Sequence, residues 1–232
     1  MKMQIDLYND GIGTVEYVEH MGSDLSVVNS ARVSFGAQKD LLDEKDEKLI
    51  SYLIKHKHTS TLEHCLITFR FVVPLFVRSQ HHRHRTWSYN EISRRYTDVD
   101  IQFYQPKEFR TQHKSNRQAS NEDELIDPDL TFMRWGWGTA SKQVKQHHEE
   151  SLKLYEDLIE NGVCREQARG ILPQNMYTQY YGTVNLSNLL KFIDLRTHEG
   201  AQWEIQKVAE ACLEIATELF PVTVGAYRKS RE

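Results

Sequence analysis

The chain has 232 residues, enough for one domain with a sizeable core that needs no staples. It carries 29 basic and 33 acidic side chains, a formal charge of −4, which points overall to neither nucleic acid nor an anionic membrane. Its three cysteines, Cys65, Cys164 and Cys212, lie far apart, which argues against a disulfide framework or a zinc ribbon and suits a reducing cytoplasm. The opening MKMQIDLYNDG has no apolar h-region, and no apolar run approaches the ~20 residues of a membrane span, so neither a signal peptide nor a span is expected.

Residues 4–20 alternate like two short strands joined at Asn9-Asp10-Gly11. Ser23-Asp24 caps a helix carrying Leu25, Val28 and Ala31, and a second helix spans Asp43 to Lys57 with Leu49, Tyr52, Leu53 and His56 at helical spacing. His64 to Val73, rich in β-branched and aromatic residues, is a buried strand ended by Pro74. A helix over 75–84 follows, and then an irregular, extended stretch over 86–104. Residues 106–128 are polar and low in apolar content, and the region 106–136 is taken as an exposed, partly mobile insertion. A long helix from Thr139 to Asn161 places Val144, His148, Leu152, Tyr155 and Leu158 or Ile159 on one face. Short helices at 164–171 and 187–196 flank a strand at 175–184, and a last helix over 201–219 turns Ile205, Val208, Cys212, Ile215 and Leu219 inward. The order is mixed, without a βαβαβ rhythm, so the expected class is α+β, helices packed against an antiparallel sheet in a single domain over 1–232.

The most unusual stretch runs from Gln80 to Tyr96, where Arg83, His84, Arg85, Arg94 and Arg95 are interleaved with Trp87, Tyr89 and Tyr96. Arg forks hold phosphate or carboxylate bidentately, but such runs are more often a solvated basic face or an RNA-binding patch. His56, His58, His64, His81, His82 and His84 crowd one segment, yet HExxH is absent and adjacent helical positions do not face one ion, so no metal is expected. Neither GxGxxG nor a P-loop is present.

Arg83-His84-Arg85, then seven residues, then Ser93, with Tyr89-Asn90-Glu91-Ile92 between, resembles the signature of the flavin-dependent thymidylate synthases. The resemblance extends through Ala31-Arg32-Val33-Ser34-Phe35, the block His58 to His64, and Arg165 to Arg169 with Leu172-Pro173. It continues in Thr183-Val184-Asn185, Leu195-Arg196 and Ala201-Gln202-Trp203-Glu204-Ile205. It implies a cytoplasmic homotetramer with shared active sites that methylates dUMP to dTMP. The carbon would come from 5,10-methylenetetrahydrofolate, with FAD as hydride carrier and NADPH as reductant. It assigns Gln80, Arg83, Glu91, Ser93, Arg94, Arg95, Arg169 and Arg196 to dUMP. It assigns His58, Ser60, Arg83, His84, Arg85, Glu91 and Asn185 to FAD, together with Ser187 and Lys191, which stand where the family often has Arg and Asn. Arg94 stands where Gly is frequent, and Gly200 where His is common.

The chemistry narrows the catalytic choice. Carbon 5 of uracil is a weak nucleophile, activated either by a thiolate on carbon 6 or by polarising the ring. Only Cys164 is a plausible reactive thiol. Arg196 is the candidate for polarisation at N3, against the alternative of an Arg meeting a helix C-terminus, and the resemblance favours the ring role. The rivals are a nucleic-acid module, an altered chemistry on the same scaffold, and a structural oligomer.

Overall fold

In a computed structural model of the chain, residues 3–132 and 136–231 are described. Residues 133–135 of the expected insertion lie outside them. β1 (Gln4–Asp6) and β2 (Thr14–Met21) are joined by the expected turn, in which Asn9 and Gly11 take positive φ of 54° and 73°. The Asp10 carboxylate accepts from the backbone of Ile12 and Gly13 and holds that turn. α1 (Asp24–Arg32) follows Ser23, whose backbone N–H donates to the Ser26 hydroxyl. α2 (Glu44–Lys55) is capped by the Asp43 carboxylate, which accepts from Lys45 and Asp46.

β3 (Leu66–Pro74) runs into α3 (Leu75–His81), where Pro74 begins the helix without needing an N–H. β4 (Ser88–Glu91) comes next, followed by the hairpin β5 (Phe109–Gln112) with β6 (Ser120–Ile126) and the hairpin β7 (Asp129–Phe132) with β8 (Gly136–Thr139). α4 (Ala140–Glu160), α5 (Arg165–Ala168), β9 (Tyr177–Asn185), α6 (Leu186–Arg196), α7 (Trp203–Leu219) and α8 (Pro221–Lys229) complete the chain.

The α+β expectation holds. One antiparallel sheet has the order β1-β2-β3-β9-β4, and β3 pairs with β9 along its whole length from Leu66↔Asn185 to Pro74↔Tyr177. Period-two alternation sends Ile67, Phe69, Phe71 and Val73 to the helix-covered face, all fully buried. They pack with Leu189, Phe192 and Ile193 of α6, Val208, Cys212 and Ile215 of α7, and Val224 of α8. On the other face Arg70 donates to Glu16 at 2.8 Å and to Gln179 at 2.9 Å. A side chain at Gly182 would meet the Phe71 ring at 2.9 Å and Trp87 at 3.2 Å, so only glycine lets Trp87 lie over the sheet there. A second cluster of Tyr155, Ala168, Leu172 and Met176 packs α4 and α5 beside it.

Four expectations are corrected. The irregular 86–104 stretch contains β4, which pairs with β9 through Ser88↔Thr183 to Glu91↔Tyr180. The helix expected to reach residue 84 ends at His81. On α2 the inward residues are Ile50 and Leu53, while Tyr52 is 53% exposed against His56. The last helix is followed by α8, which was not anticipated.

α8 starts at Pro221 and is capped from a distance. The Asp24 carboxylate, 4% exposed, accepts from the backbone N–H of Val222 and Thr223 and from the Thr223 hydroxyl. Asp24→Ala is expected to lower unfolding free energy by about 2 kcal/mol in a urea titration, because helix-end donors are left buried without partners. Asp24→Asn, which keeps an acceptor, should lose much less. No helix of the described residues is long and apolar enough to cross a membrane.

Candidate active site

α3 sets the histidine cluster by its geometry. His81 is fully buried, with Nδ1 at 2.8 Å from the Tyr180 hydroxyl and its ring among Trp87, Phe71 and Phe192. Burial, then neighbouring His84, holds it neutral well below the usual range. His82 stacks on Tyr89 with centroids 4.1 Å apart. Both rings are packing residues.

His84, just past the helix, meets Arg196 at the end of α6. Arg196 Nε donates to His84 Nε2 at 3.0 Å, and its Nη2 donates to the Gln80 carbonyl at 3.3 Å. His84 Nε2 is therefore an acceptor, and its proton resides on Nδ1. Burial and the adjacent guanidinium pull its pKa down to about 4. Two fixed contacts orient the half-buried Arg196 fork and leave its remaining N–H groups available. Arg83 and Arg85 beside it are exposed, with no side-chain ion pair among the described residues. Glu91, at the end of β4, accepts from Arg78 Nε at 3.1 Å and from the Thr178 hydroxyl at 2.6 Å, which fastens it to α3 and β9.

Ser93 Oγ accepts from the Arg95 backbone at 3.3 Å. The resemblance assigns Arg94 to dUMP in a turn whose backbone approaches the nucleotide; its side chain is 8% exposed and donates to the carbonyls of Val99 (2.7 Å) and Asp100 (3.4 Å), which leaves the backbone of the turn for that role. The guanidinium clasps its own loop; Arg94 keeps a negative φ, and the positive one falls on Asp100 at 54°. A side chain where glycine is frequent is accommodated without backbone strain. Arg95 is exposed and lies 5.3 Å over the Tyr96 ring. Arg165 pairs with Asp98 at 2.9 Å, joining α5 to this loop and placing exposed Arg169 at the same edge.

The remaining candidates gather where α6 begins. His58 and Ser60 are exposed on a 3-10 turn (Thr59–Leu62) that packs on α6. Asn185 Oδ1 accepts from the Asn188 backbone at 2.9 Å, so its carbonyl caps α6 and only its NH2 is left for other work. Ser187 is 3% exposed and its buried Oγ has no partner. Ser187 and Lys191 line a cleft of about 740 Å³ walled also by Thr59, Lys55, Lys57 and Arg231. The structure thus brings Gln80, His84 and Arg196 into direct contact. It places the Ser93–Arg95 turn with Arg169 at a second edge, and the residues from 58 to 60 and 185 to 191 at a third. Three residues of this region carried no expected role: Gln202, at 2.5 Å from Gln80, then Glu204, and Arg110 from β5. Gln202 and Glu204 stood within the recognised block Ala201 to Ile205; Arg110 had no signal.

The family model of the thymidylate synthase complementing protein matches residues 16–222. A flavin-dependent thymidylate synthase of Thermus thermophilus is 41% identical over 217 residues, 94% of this chain and 76% of that protein. That of Thermotoga neapolitana is 40% identical over 218 residues, covering 94% and 91%. Among solved structures, the UMP/dUMP methylase PolB from Streptomyces cacaoi bound with 5-Br dUMP superposes with a TM-score of 0.78 at 33% identity, over 97% of both chains.

Proposed function

The chain belongs to the thymidylate synthase complementing protein family, the flavin-dependent thymidylate synthases, and we propose from this that it converts dUMP to dTMP with FAD. The carbon comes from 5,10-methylenetetrahydrofolate, and NADPH supplies the reducing pair, giving tetrahydrofolate and NADP+. The observation that carries the reading is the Arg196 guanidinium, clamped between His84 and the Gln80 carbonyl with exposed Arg83 and Arg85 alongside.

Ring activation by a thiolate is poorly served by these cysteines. Cys65 is buried and its pKa is pushed up to about 11, and burial raises that of Cys212 further. Cys164 is exposed at the N-cap of α5, and its thiol donates to Gln167 Oε1 at 3.7 Å. Polarisation suits the site better. A fixed guanidinium at the N3 and O4 edge of uracil stabilises the negative charge that must build there before carbon 5 can attack the methylene. The neutral His84 ring keeps that guanidinium aimed without competing for the charge. Arg83, Arg95 and Arg169 suit the nucleotide phosphate, with Gln80, Glu91 and Ser93 for sugar and base.

The residues assigned to FAD fit such a group. Ser187 Oγ is a buried hydroxyl without a partner on a cleft wall that also carries Lys55, Lys57 and Lys191, a donor set for a pyrophosphate. His58, Ser60, His84, Arg85 and Asn185 would hold the rest. When bound, the flavin supplies the hydride that reduces the transferred methylene to a methyl group. A homotetramer with shared sites accords with exposed Arg83, Arg85, Arg95 and Arg169, which make no ion pair among the described residues and lie at separate edges of one chain.

The test is dTMP formation from dUMP, methylenetetrahydrofolate and NADPH on flavin-stripped protein, with and without added FAD and with UMP run alongside. Product that requires FAD supports the proposal. Product without FAD points back to Cys164, and no product with flavin still bound favours altered chemistry.

A further inference from the structure

Gln80 is held from behind by a line of polar side chains that ends on the β5–β6 hairpin. Its Nε2 donates to Gln202 Oε1 at 2.5 Å, and Gln202 Nε2 donates to Glu204 Oε2 at 2.9 Å. Glu204 is 4% exposed, and its other oxygen accepts from Arg110 Nη2 at 2.7 Å and the Tyr104 hydroxyl at 3.1 Å. Arg110 is fixed in turn: its Nε donates to Ser120 at 2.9 Å, and its guanidinium lies 5.1 Å over the Trp203 ring.

A primary amide has a donor end and an acceptor end of nearly equal shape, and it can turn over. A carboxylate can only accept. Glu204 therefore draws the NH2 of Gln202 toward itself and turns the Gln202 oxygen outward. That oxygen can only accept, so it draws in the NH2 of Gln80. With its NH2 turned toward Gln202, Gln80 turns its carbonyl oxygen the other way, and its second N–H stays on the Gln202 side.

We propose that Glu204, anchored by Arg110, is a positioning residue that sets the hydrogen-bonding sense of Gln80, so that Gln80 meets the nucleotide as an acceptor and selects for a donor on it. The proposal rests on the dUMP reading of the site. The base and sugar of dUMP offer two donors, N3–H and the 3′-hydroxyl, and each can be deleted chemically. The experiment measures binding of dUMP, 2′,3′-dideoxyuridine monophosphate and 3-methyl-dUMP to the wild-type protein, to Glu204→Gln and to Gln202→Leu. Gln202→Leu leaves the Glu204–Arg110 pair intact, so it serves where Glu204→Gln does not fold. Wild type is expected to reject one donor-less analogue by about tenfold, and the variants by less than about threefold, because Gln80 is then free to turn. A merely structural role would lower stability and leave that ratio alone. Variants that retain the wild-type ratio, or a wild type that tolerates both analogues, overturn the relay. A wild type that binds no dUMP overturns the nucleotide reading as well.

Discussion

Arg196→Ala is expected to lower dTMP formation by about 100- to 1,000-fold, the usual cost of removing one donor aimed at developing charge in a sheltered site. Flavin should stay bound: His84 loses its contact with Arg196, but Ser60, Asn185 and Ser187, also assigned to FAD, lie at or near the opposite end of α6. Arg196→Lys should not restore activity. An ammonium carries the charge but lacks the Nε that binds His84 and the planar fork that reaches the Gln80 carbonyl at the same time. The loss should appear in kcat and kcat/KM together, as for an interaction made chiefly in the transition state. Turnover within a few-fold of wild type would remove Arg196 from the mechanism and return attention to Cys164.

The second large effect concerns stability. Asp46 is fully buried at the start of α2, where its carboxylate takes Arg32 at 2.5 Å and Lys39 at 2.6 Å and also accepts from the Asp43 backbone. One side chain thereby ties the end of α1, the exposed 33–43 loop and the α2 N-terminus. Asp46→Ala is expected to cost about 3 kcal/mol, the low end for breaking a buried pair, because Arg32 and Lys39 are near enough to water to be rehydrated in part. Urea unfolding at neutral pH measures it, and a change within error would show the network to be ornamental. Burial opposes ionisation of Asp46, but the hydrogen bonds from Lys39 and Arg32 outweigh it and hold the carboxyl well below the usual range. A depressed carboxyl stabilises the fold above its unfolded pKa, and that contribution is lost as pH falls toward the folded value. His84 and His148, both held down to about 4 mainly by burial, add to the acid side. The unfolded chain takes up those protons first, so stability should decline from about pH 6.5 toward pH 4 and then further as Asp46 protonates.

The local pattern carried much of the fold. β3 was legible because its β-branched and aromatic run is buried against helices on one face and ended by a proline. α4 and α7 were legible from their 3.6-residue periodicity. β4 was not, because Ser88-Tyr89-Asn90-Glu91 has no apolar alternation and is a strand only through β9 beside it. α8 was hidden because it starts one residue after α7 ends, and its cap comes from Asp24 near the other end of the chain. Tyr52 was misjudged since its spacing fits the apolar stripe, while its ring lies against His56 on the solvent side with centroids 4.3 Å apart. In the site, the resemblance named Gln80, His84 and Arg196 separately, and it is the fold of the single chain that brings them into contact. The resemblance could not reveal that Arg94 turns inward, which depends on the carbonyls of Val99 and Asp100. Nor could it bring Arg110 of a polar hairpin to Glu204, 94 positions along the chain.

β9 passes into α6 with no intervening loop: Asn185 is the last residue of the strand and the cap of the helix. α6 therefore works as a ruler of fixed origin, with its zero mark hydrogen-bonded into the centre of the sheet and Arg196 at its far graduation. Each residue along it advances the mark by about 1.5 Å and turns it by about 100°. One inserted or deleted residue between Asn185 and Arg196 would swing the guanidinium away from His84, with no slack in the chain to absorb the error. The length of α6 is thus fixed by its two ends, whatever side chains it carries between them. The two hairpins between β4 and α4 can lengthen or shorten so long as Arg110 is still delivered to Glu204. For this enzyme, residue count in α6 is a sterner constraint than residue identity.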